Sequence, residues 1–214
     1  MLTASLGSLI AISKWTGIAL AMMIVALPAA TCWLEGRLSS RDEAFLFWGQ
    51  ALSLVPGLPG KYLRKCYYFL TLQSCSLSCD IGFMSYFNDR RSKVGRRVYI
   101  GFGVGLGLVT FGDGVLIGSR ASVLSGGKQH RLGSDGRLTP FQRSSADRVR
   151  IGAETWIGEA AVVMADVGNQ CIVGAASVVS RPMPDGCLVV GNPARFVRKL
   201  TEDGSRAAQE SEKL

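Results

Sequence analysis

The stretch SGGKQHRLGSDGR, residues 125–137, holds the single histidine of the 214-residue chain, His130. An imidazole titrates near neutral pH, so it can take a proton from a hydroxyl or amine and return it later in one cycle. The stretch also interrupts a run of aliphatic–glycine pairs that resumes at Ile151. Two readings of His130 compete here: a base carried on a loop leaving a rigid wall, and an exposed histidine in a glycine-rich loop. Asp135 in the same loop, and Asp113, Glu154 and Glu159 outside it, are carboxylates that could orient the ring.

One histidine also bounds the metal chemistry. The six cysteines include CSLSC, residues 75–79, whose spacing does not suit a zinc knuckle, and no second histidine completes a ligand set. No metal is expected, and the thiols read as free in a reducing compartment. The net charge of +8 suggests anionic company. DRRSKVGRR, residues 89–97, concentrates the cations; a solvated surface and a contact with anionic lipid are its two main readings. No reading helix, zinc finger or aromatic RNA-binding signature accompanies it, so nucleic acid is not an expected partner.

The elements that would position His130 are legible in the spacing. Val94-Gly95, Ile100-Gly101 and Leu106-Gly107 recur every six residues, followed after a slip by Phe111-Gly112, Ile117-Gly118 and Val123. Beyond the interruption come Ile151-Gly152, Ile157-Gly158 and Val163, then Val167-Gly168, Val173-Gly174 and Val179. A six-residue apolar period fits neither an amphipathic helix nor an alternating strand. It predicts a parallel β-solenoid with three short sides per coil over residues 94–179, glycine being favoured at the corners for its backbone freedom.

The first 90 residues follow other rules. Residues 15–34, WTGIALAMMIVALPAATCWL, carry no charge, have Trp15 and Trp33 at their ends, and are long enough to span a bilayer. A signal peptide and a buried core helix are the alternatives. Residues 45–70 read as two short interfacial segments joined at Pro56, Gly57, Pro59 and Gly60, with Lys61, Arg64 and Lys65 as a cationic edge. Basic residues lie mostly after the apolar segment, which places residues 35–214 on the cytoplasmic side of an inner membrane. The expected organisation is a membrane-associated helical region over 1–90, a solenoid over 91–200 with an excursion at 126–148, and a polar tail at 201–214.

The repeats, with VRIGAETWIGEAAVVMADV, CIVGAASVVSRPMPDG and LVVGNPARFVRKL, resemble the hexapeptide-repeat acyltransferases, whose coils form a left-handed parallel β-helix. The hydrophobic first half, with PGLPGKYLRKCYY, resembles the membrane-associated subgroup that O-acetylates exopolysaccharide or lipid-linked glycans. Two departures stand out: MADVG is shorter than the family's usual spacing, so one coil must be pinched, and Ser180-Arg181 stands where threonine–lysine is common.

The resemblance implies transfer of an acetyl group from acetyl-CoA to a glycan or lipid-linked sugar hydroxyl, in a homotrimer bound to membrane lipid, with His130 as the base. It further implies that Trp156 walls the acceptor or pantetheine site. A corner N–H such as that of Gly158 is a candidate oxyanion donor. The small residues Gly174, Ala175 and Ser177 would let the coenzyme arm approach the backbone, and Arg181, Arg195, Arg198 and Lys199 are candidates for its phosphates. The three histidines of the γ-type carbonic anhydrases are absent. The remaining rival is a membrane-tethered scaffold without catalysis, which gives no reason for a long excursion bearing a base.

Overall fold

The computed structural model describes residues 2–39, 41–127, 136–139 and 146–200. His130, Asp135 and the tail over 201–214 therefore lie outside the described residues. From Ser74 the chain winds as a parallel β-solenoid. The first coil is β1 (Ser74–Cys75), β2 (Asp80–Ile81) and β3 (Tyr86–Phe87), and the second is β4 (Lys93–Val94), β5 (Tyr99–Ile100) and β6 (Gly105–Leu106). The third is β7 (Val109–Phe111), β8 (Leu116–Ile117) and β9 (Ser122–Val123), and the fourth is β10 (Val149–Ile151), β11 (Trp156–Ile157) and β12 (Val162–Val163).

A fifth coil, β13 (Ile172–Val173) and β14 (Val178–Val179), is pinched as the short MADVG spacing demands. On its third side a single residue, Val167, bridges Ile151 and Met183 in place of a strand. The chain then enters β15 (Cys187–Val190), and β16 (Arg195–Lys199) folds back antiparallel upon it.

The strands stack into three sheets: sheet A, β1-β4-β7-β10; sheet B, β16-β15-β13-β11-β8-β5-β2; and sheet C, β14-β12-β9-β6-β3. The six-residue period maps onto fully buried columns. In sheet B the inward column is Ile81, Ile100, Ile117, Ile157, Val173 and Val189. Each of these aliphatic side chains stabilises the prism by about 1.5–3 kcal/mol relative to exposure.

The glycine after each aliphatic residue has a different cause from the one its sequence position suggests. Gly158 does not adopt positive φ; a Cβ there would lie 2.6 Å from the Ala175 amide nitrogen and 2.7 Å from the Val173 carbonyl oxygen of the next coil. Close approach between coils, not backbone freedom, excludes a side chain. The left-handed conformation falls two residues later, where Arg97, Arg120, Glu154, Ala160, Gln170 and Ala176 all have φ between 53° and 58°.

The solenoid begins before Val94, one full coil earlier than the aliphatic pairs indicate. Its inward positions there are Cys75, Ile81 and Phe87, so cysteine and phenylalanine hold places taken elsewhere by aliphatics. Phe87 is aromatic because it packs edge-on against Tyr68, 4.8 Å between centroids. Tyr68 belongs to α3 (Gly57–Thr71), which with α2 (Glu43–Ser53) covers the open end of the prism. Pro59 sits in the first turn of α3, where its missing N–H is not needed.

The cations of α3 are not a solvent-facing edge. Arg64 is buried and donates to the carbonyls of Ile81 (2.9 Å) and Val55 (2.7 Å), while Lys65 pairs with Asp80 at 3.0 Å. The edge groups of the first coil, which have no preceding coil to bond, thus find partners in the helices. The Tyr68 hydroxyl does the same for the N–H of Phe87 at 3.1 Å.

Candidate active site

The excursion leaves sheet C through a narrow neck. The Asp147 N–H donates to the Ser125 carbonyl at 3.3 Å, and the Ser125 hydroxyl accepts the Leu108 N–H at 2.8 Å. Gly126 has φ of 75°, and a Cβ there would meet Asp147 at 2.7 Å, so the outgoing strand needs glycine. On the returning side, Arg148 donates to Thr110 (3.1 Å) and Gln73 (3.2 Å) and ties the neck to sheet A and to the end of the helical cap.

A cavity opens on each side of this neck. The larger, about 650 Å³, lies between the outer face of sheet C and the start of α2, with Glu43, Tyr86, Asn88, Gly105, Ser122 and Ser125 in its wall. Tyr86, Gly105 and Ser122 occupy one register row on β3, β6 and β9, and the absent side chain of Gly105 leaves the row hollow in its middle. The smaller cavity, about 500 Å³, is walled by Gly126, Gly127, Asp147, Met164, Ser180 and Pro182, among others.

Charge in the larger cavity is paired at Asp42 and Asp89, while Arg41 and Glu43 of its wall are exposed. Asp89, also in its wall, is buried and clamped by Arg91 at 2.6 Å, and Arg90 meets Asp42 at 3.3 Å. The pairing with Asp89 raises the Arg91 guanidinium above its ordinary range. These pairs account for much of the basic run at residues 89–97, since Arg96 and Arg97 pair with Asp113 and Glu154 along a corner of the prism. The wall therefore offers hydroxyls, an amide, carboxylates and the Arg41 guanidinium, a set suited to a polyhydroxylated ligand.

The other residues singled out in the sequence are distributed over the prism. Gly158, Gly174 and Ala175 stack at the corner between sheets B and C, giving a surface where a ligand could lie against the backbone. The Gly158 N–H, however, donates to the Val173 carbonyl at 2.8 Å, so it belongs to the ladder and is not available to an oxyanion. Ser177 is buried, its hydroxyl accepting the Gly191 N–H at 3.0 Å. Trp156 is half exposed on the outer face of sheet B, and Arg195, Arg198 and Lys199 lie on that sheet's last strand.

Arg181 lies across sheet C from the Gly174 corner, between Ser180 and Pro182 of the smaller cavity. Glu154 and Glu159 are occupied by Arg97 and Arg120, and Asp113 by Arg96. Among the described residues no cluster of three metal-ligating side chains occurs. Sequence reasoning missed Tyr86, Asn88 and Ser122; their signal is a polar residue at an outward strand position within an aliphatic repeat.

No protein-family model matches the chain. It is 28% identical over 116 residues to the galactoside O-acetyltransferase of Escherichia coli (strain K12), covering 51% of this chain and 54% of that protein. It is 37% identical over 76 residues to a Staphylococcus aureus (strain COL) protein assigned as an acetyltransferase, covering 35% and 37%.

The fold is similar to the hexapeptide-repeat acetyltransferase of Vibrio cholerae O1 biovar eltor solved with acetyl coenzyme A (TM-score 0.61, 21% identity, 77% of this chain and 91% of that one). It is also similar to a maltose O-acetyltransferase from Clostridium difficile 630 (TM-score 0.60, 19% identity, 75% and 90%). Repeats and fold together define a hexapeptide-repeat β-solenoid protein. Over part of its length the chain is similar in sequence to acetyltransferases, and its fold is that of hexapeptide-repeat acetyltransferases. It spans about half the length, or less, of the curated relatives it matches.

Proposed function

We propose that the protein transfers an acetyl group from acetyl-CoA to a hydroxyl of a glycan or lipid-linked sugar, with His130 as general base. The observation that carries this reading is that the neck at Ser125 and Asp147, from which the segment bearing His130 departs, stands between two cavities. A polar cavity of about 650 Å³ is large enough for a sugar acceptor. The Gly158–Gly174–Ala175 corner and the cations Arg181, Arg195 and Lys199 are the proposed donor contacts, with Trp156 as a wall. The acetyl coenzyme A bound to the Vibrio cholerae relative and the sugar O-acetyltransferases among the relatives support the substrate classes.

In this reaction His130 removes the acceptor hydroxyl proton as the oxygen attacks the thioester carbonyl carbon. The tetrahedral intermediate collapses, the carbon–sulfur bond breaks, and the imidazolium returns its proton to the departing thiolate. The products are an acetyl ester and free CoA, with the imidazole neutral again. The test is CoA release by detergent-solubilised protein in the presence of polysaccharide-precursor extracts. Loss of at least about 10²-fold in His130→Ala, with folding intact, is the expected result; turnover that survives the substitution overturns the assignment of the base.

Placement also forms part of this reading: a homotrimer on the cytoplasmic face of the inner membrane. An apolar helix supports the membrane part, its stretch Lys14–Leu38 being long enough to cross a bilayer. Tyr99, Leu116 and Trp156 form an exposed apolar row on sheet B, which supports packing between copies.

A further inference from the structure

Helix α1 (Leu2–Leu38) carries two apolar faces along residues 15–38. Ile18, Ala21, Val25, Pro28 and Cys32 recur at helical spacing on the face turned toward α2 and α3 and are buried. Leu20, Ile24, Leu27, Leu34 and Leu38 form the opposite stripe and are 52–79% exposed. Phe47 and Leu54 of α2 and Leu58 of α3 add further exposed apolar surface. Trp15 precedes the stripe and Trp33 falls within its last turns; the cations Lys14, Arg37 and Arg41 are exposed, with Arg37 stacked 4.1 Å over Trp33.

Both ends of this stretch are held by the cap and the first coil. A side chain at Gly17 would meet the Tyr62 ring of α3 at 3.0 Å, and α3 is in turn bound to Asp80 of β2 through Lys61 and Lys65, both at 3.0 Å. At the other end, Gly36 lies against the guanidinium of Arg90, which also reaches the Cys32 carbonyl at 3.5 Å. From Gly17 to Gly36 the helix rises about 28 Å, close to the thickness of the hydrocarbon core. Were its axis to run along the bilayer normal, Asp80 and Lys61 would sit near one surface and Arg90 and Asp42 near the other. The first coil, with Gln73, Ser74 and Ser78 exposed on it, would then lie between them in hydrocarbon, where exposed polar groups are not stable.

We infer that residues 15–38 lie in the plane of the membrane interface, with the Leu20–Ile24–Leu27–Leu34–Leu38 stripe immersed in one leaflet of a phospholipid bilayer. This rests on the membrane placement proposed above and specifies its geometry. The ligand is the lipid surface: an acyl-chain layer for the stripe, and anionic headgroups for Lys14, Arg37 and Arg41. The stripe ends at Leu38, three residues before Arg41, which is in the wall of the larger cavity. The cavity mouth therefore stands close to the membrane surface, where an acceptor could keep its lipid tail in the leaflet while its sugar enters.

The test is depth-resolved tryptophan quenching of the full chain on phosphatidylglycerol–phosphatidylcholine vesicles carrying bromine at successive acyl positions. Single-tryptophan variants retain Trp15, retain Trp33, or carry Ile24→Trp with the native tryptophans replaced by phenylalanine. The expected result is one shallow depth for all three. A centre-deep signal from Ile24→Trp, with Trp15 and Trp33 shallow, means that the helix spans and overturns the inference; so does absence of quenching at all three positions. A Leu20→Lys/Leu27→Lys variant, altered only at exposed positions, is expected to lose at least about tenfold in vesicle partitioning while its thermal unfolding is unchanged. CoA turnover on a soluble acceptor, measured in parallel, reports on the acetyltransferase reading independently of depth.

Discussion

The guanidinium of Arg64 and the carbonyl of Ile81, 2.9 Å apart, join the helical cap to the first strand of sheet B. The same guanidinium reaches Val55 at 2.7 Å, so one buried cation serves a coil edge and a helix junction together. Arg64→Met keeps the bulk and removes the donors, leaving buried carbonyls unpaired. It is expected to cost about 3 kcal/mol, read as a lowered unfolding midpoint in denaturant. Arg64→Lys recovers little of this, since an ammonium cannot reproduce the planar fork.

Asp80 supplies an acid-sensitive contact. Its partial burial raises the carboxyl pKa, but the hydrogen bonds from Lys61 and Lys65 outweigh that and hold the group below the usual carboxylate range. A depressed folded-state value means the stabilisation is complete above the unfolded value near 4 and is lost as pH falls through the folded one. The carboxylate is more than a third exposed, so solvent screening limits the effect to about 1 kcal/mol. Asp80→Asn is expected to lower the thermal midpoint by about 2–4 °C at neutral pH. The difference should begin to shrink as pH falls below about 4 and close only once pH has passed the depressed folded-state value.

Two neighbouring corner positions are expected to respond in opposite directions. Gly158→Ala forces a Cβ to within 2.6 Å of the next coil's backbone and should destabilise by about 1–3 kcal/mol. Ala160 has φ of 56°, a conformation glycine adopts without a steric cost, so Ala160→Gly should be neutral or stabilise by up to about 1 kcal/mol. Chemical denaturation of both variants beside the wild type checks the contrast.

Gly105 offers a probe of the larger cavity. A Cβ there finds only the Ser122 hydroxyl, at 3.6 Å, so a larger side chain is accommodated by the fold but projects into the hollow. On the proposed function, Gly105→Leu raises KM for the sugar acceptor at least about tenfold and leaves the affinity for acetyl-CoA unchanged. Equal losses for both substrates would mean that the cavity does not hold the acceptor.

The sequence made the prism legible because its inward residues must be aliphatic and its coils too close for side chains at the following position. The first coil escaped notice where Cys75 and Phe87 replace aliphatics, a choice made by the helices packed on that coil. Arg64 and Lys65 were misread for a related reason: a cation in an apolar helix looks like a surface group until the carbonyls it serves are known. In α1, hydrophobicity on all sides hid a division into a protein-facing and an outward-facing stripe, which no periodicity can reveal when both are apolar. The wall of the larger cavity draws together residues far apart in sequence, Glu43 and Asn88 with Ser122, so only the winding of the chain assembles it.

The capping of the first coil makes the N-terminal third inseparable from the rest. In other solenoids a terminal plug keeps exposed strand edges from recruiting further copies end to end. Here the plug and the apolar face are the same three helices. A chain shortened to begin near residue 91 would discard the first coil with its lid and present raw β-edges, inviting filaments instead of a soluble protein. Solubility has to be obtained by repainting the outward side chains of α1, with every residue that faces the prism left in place.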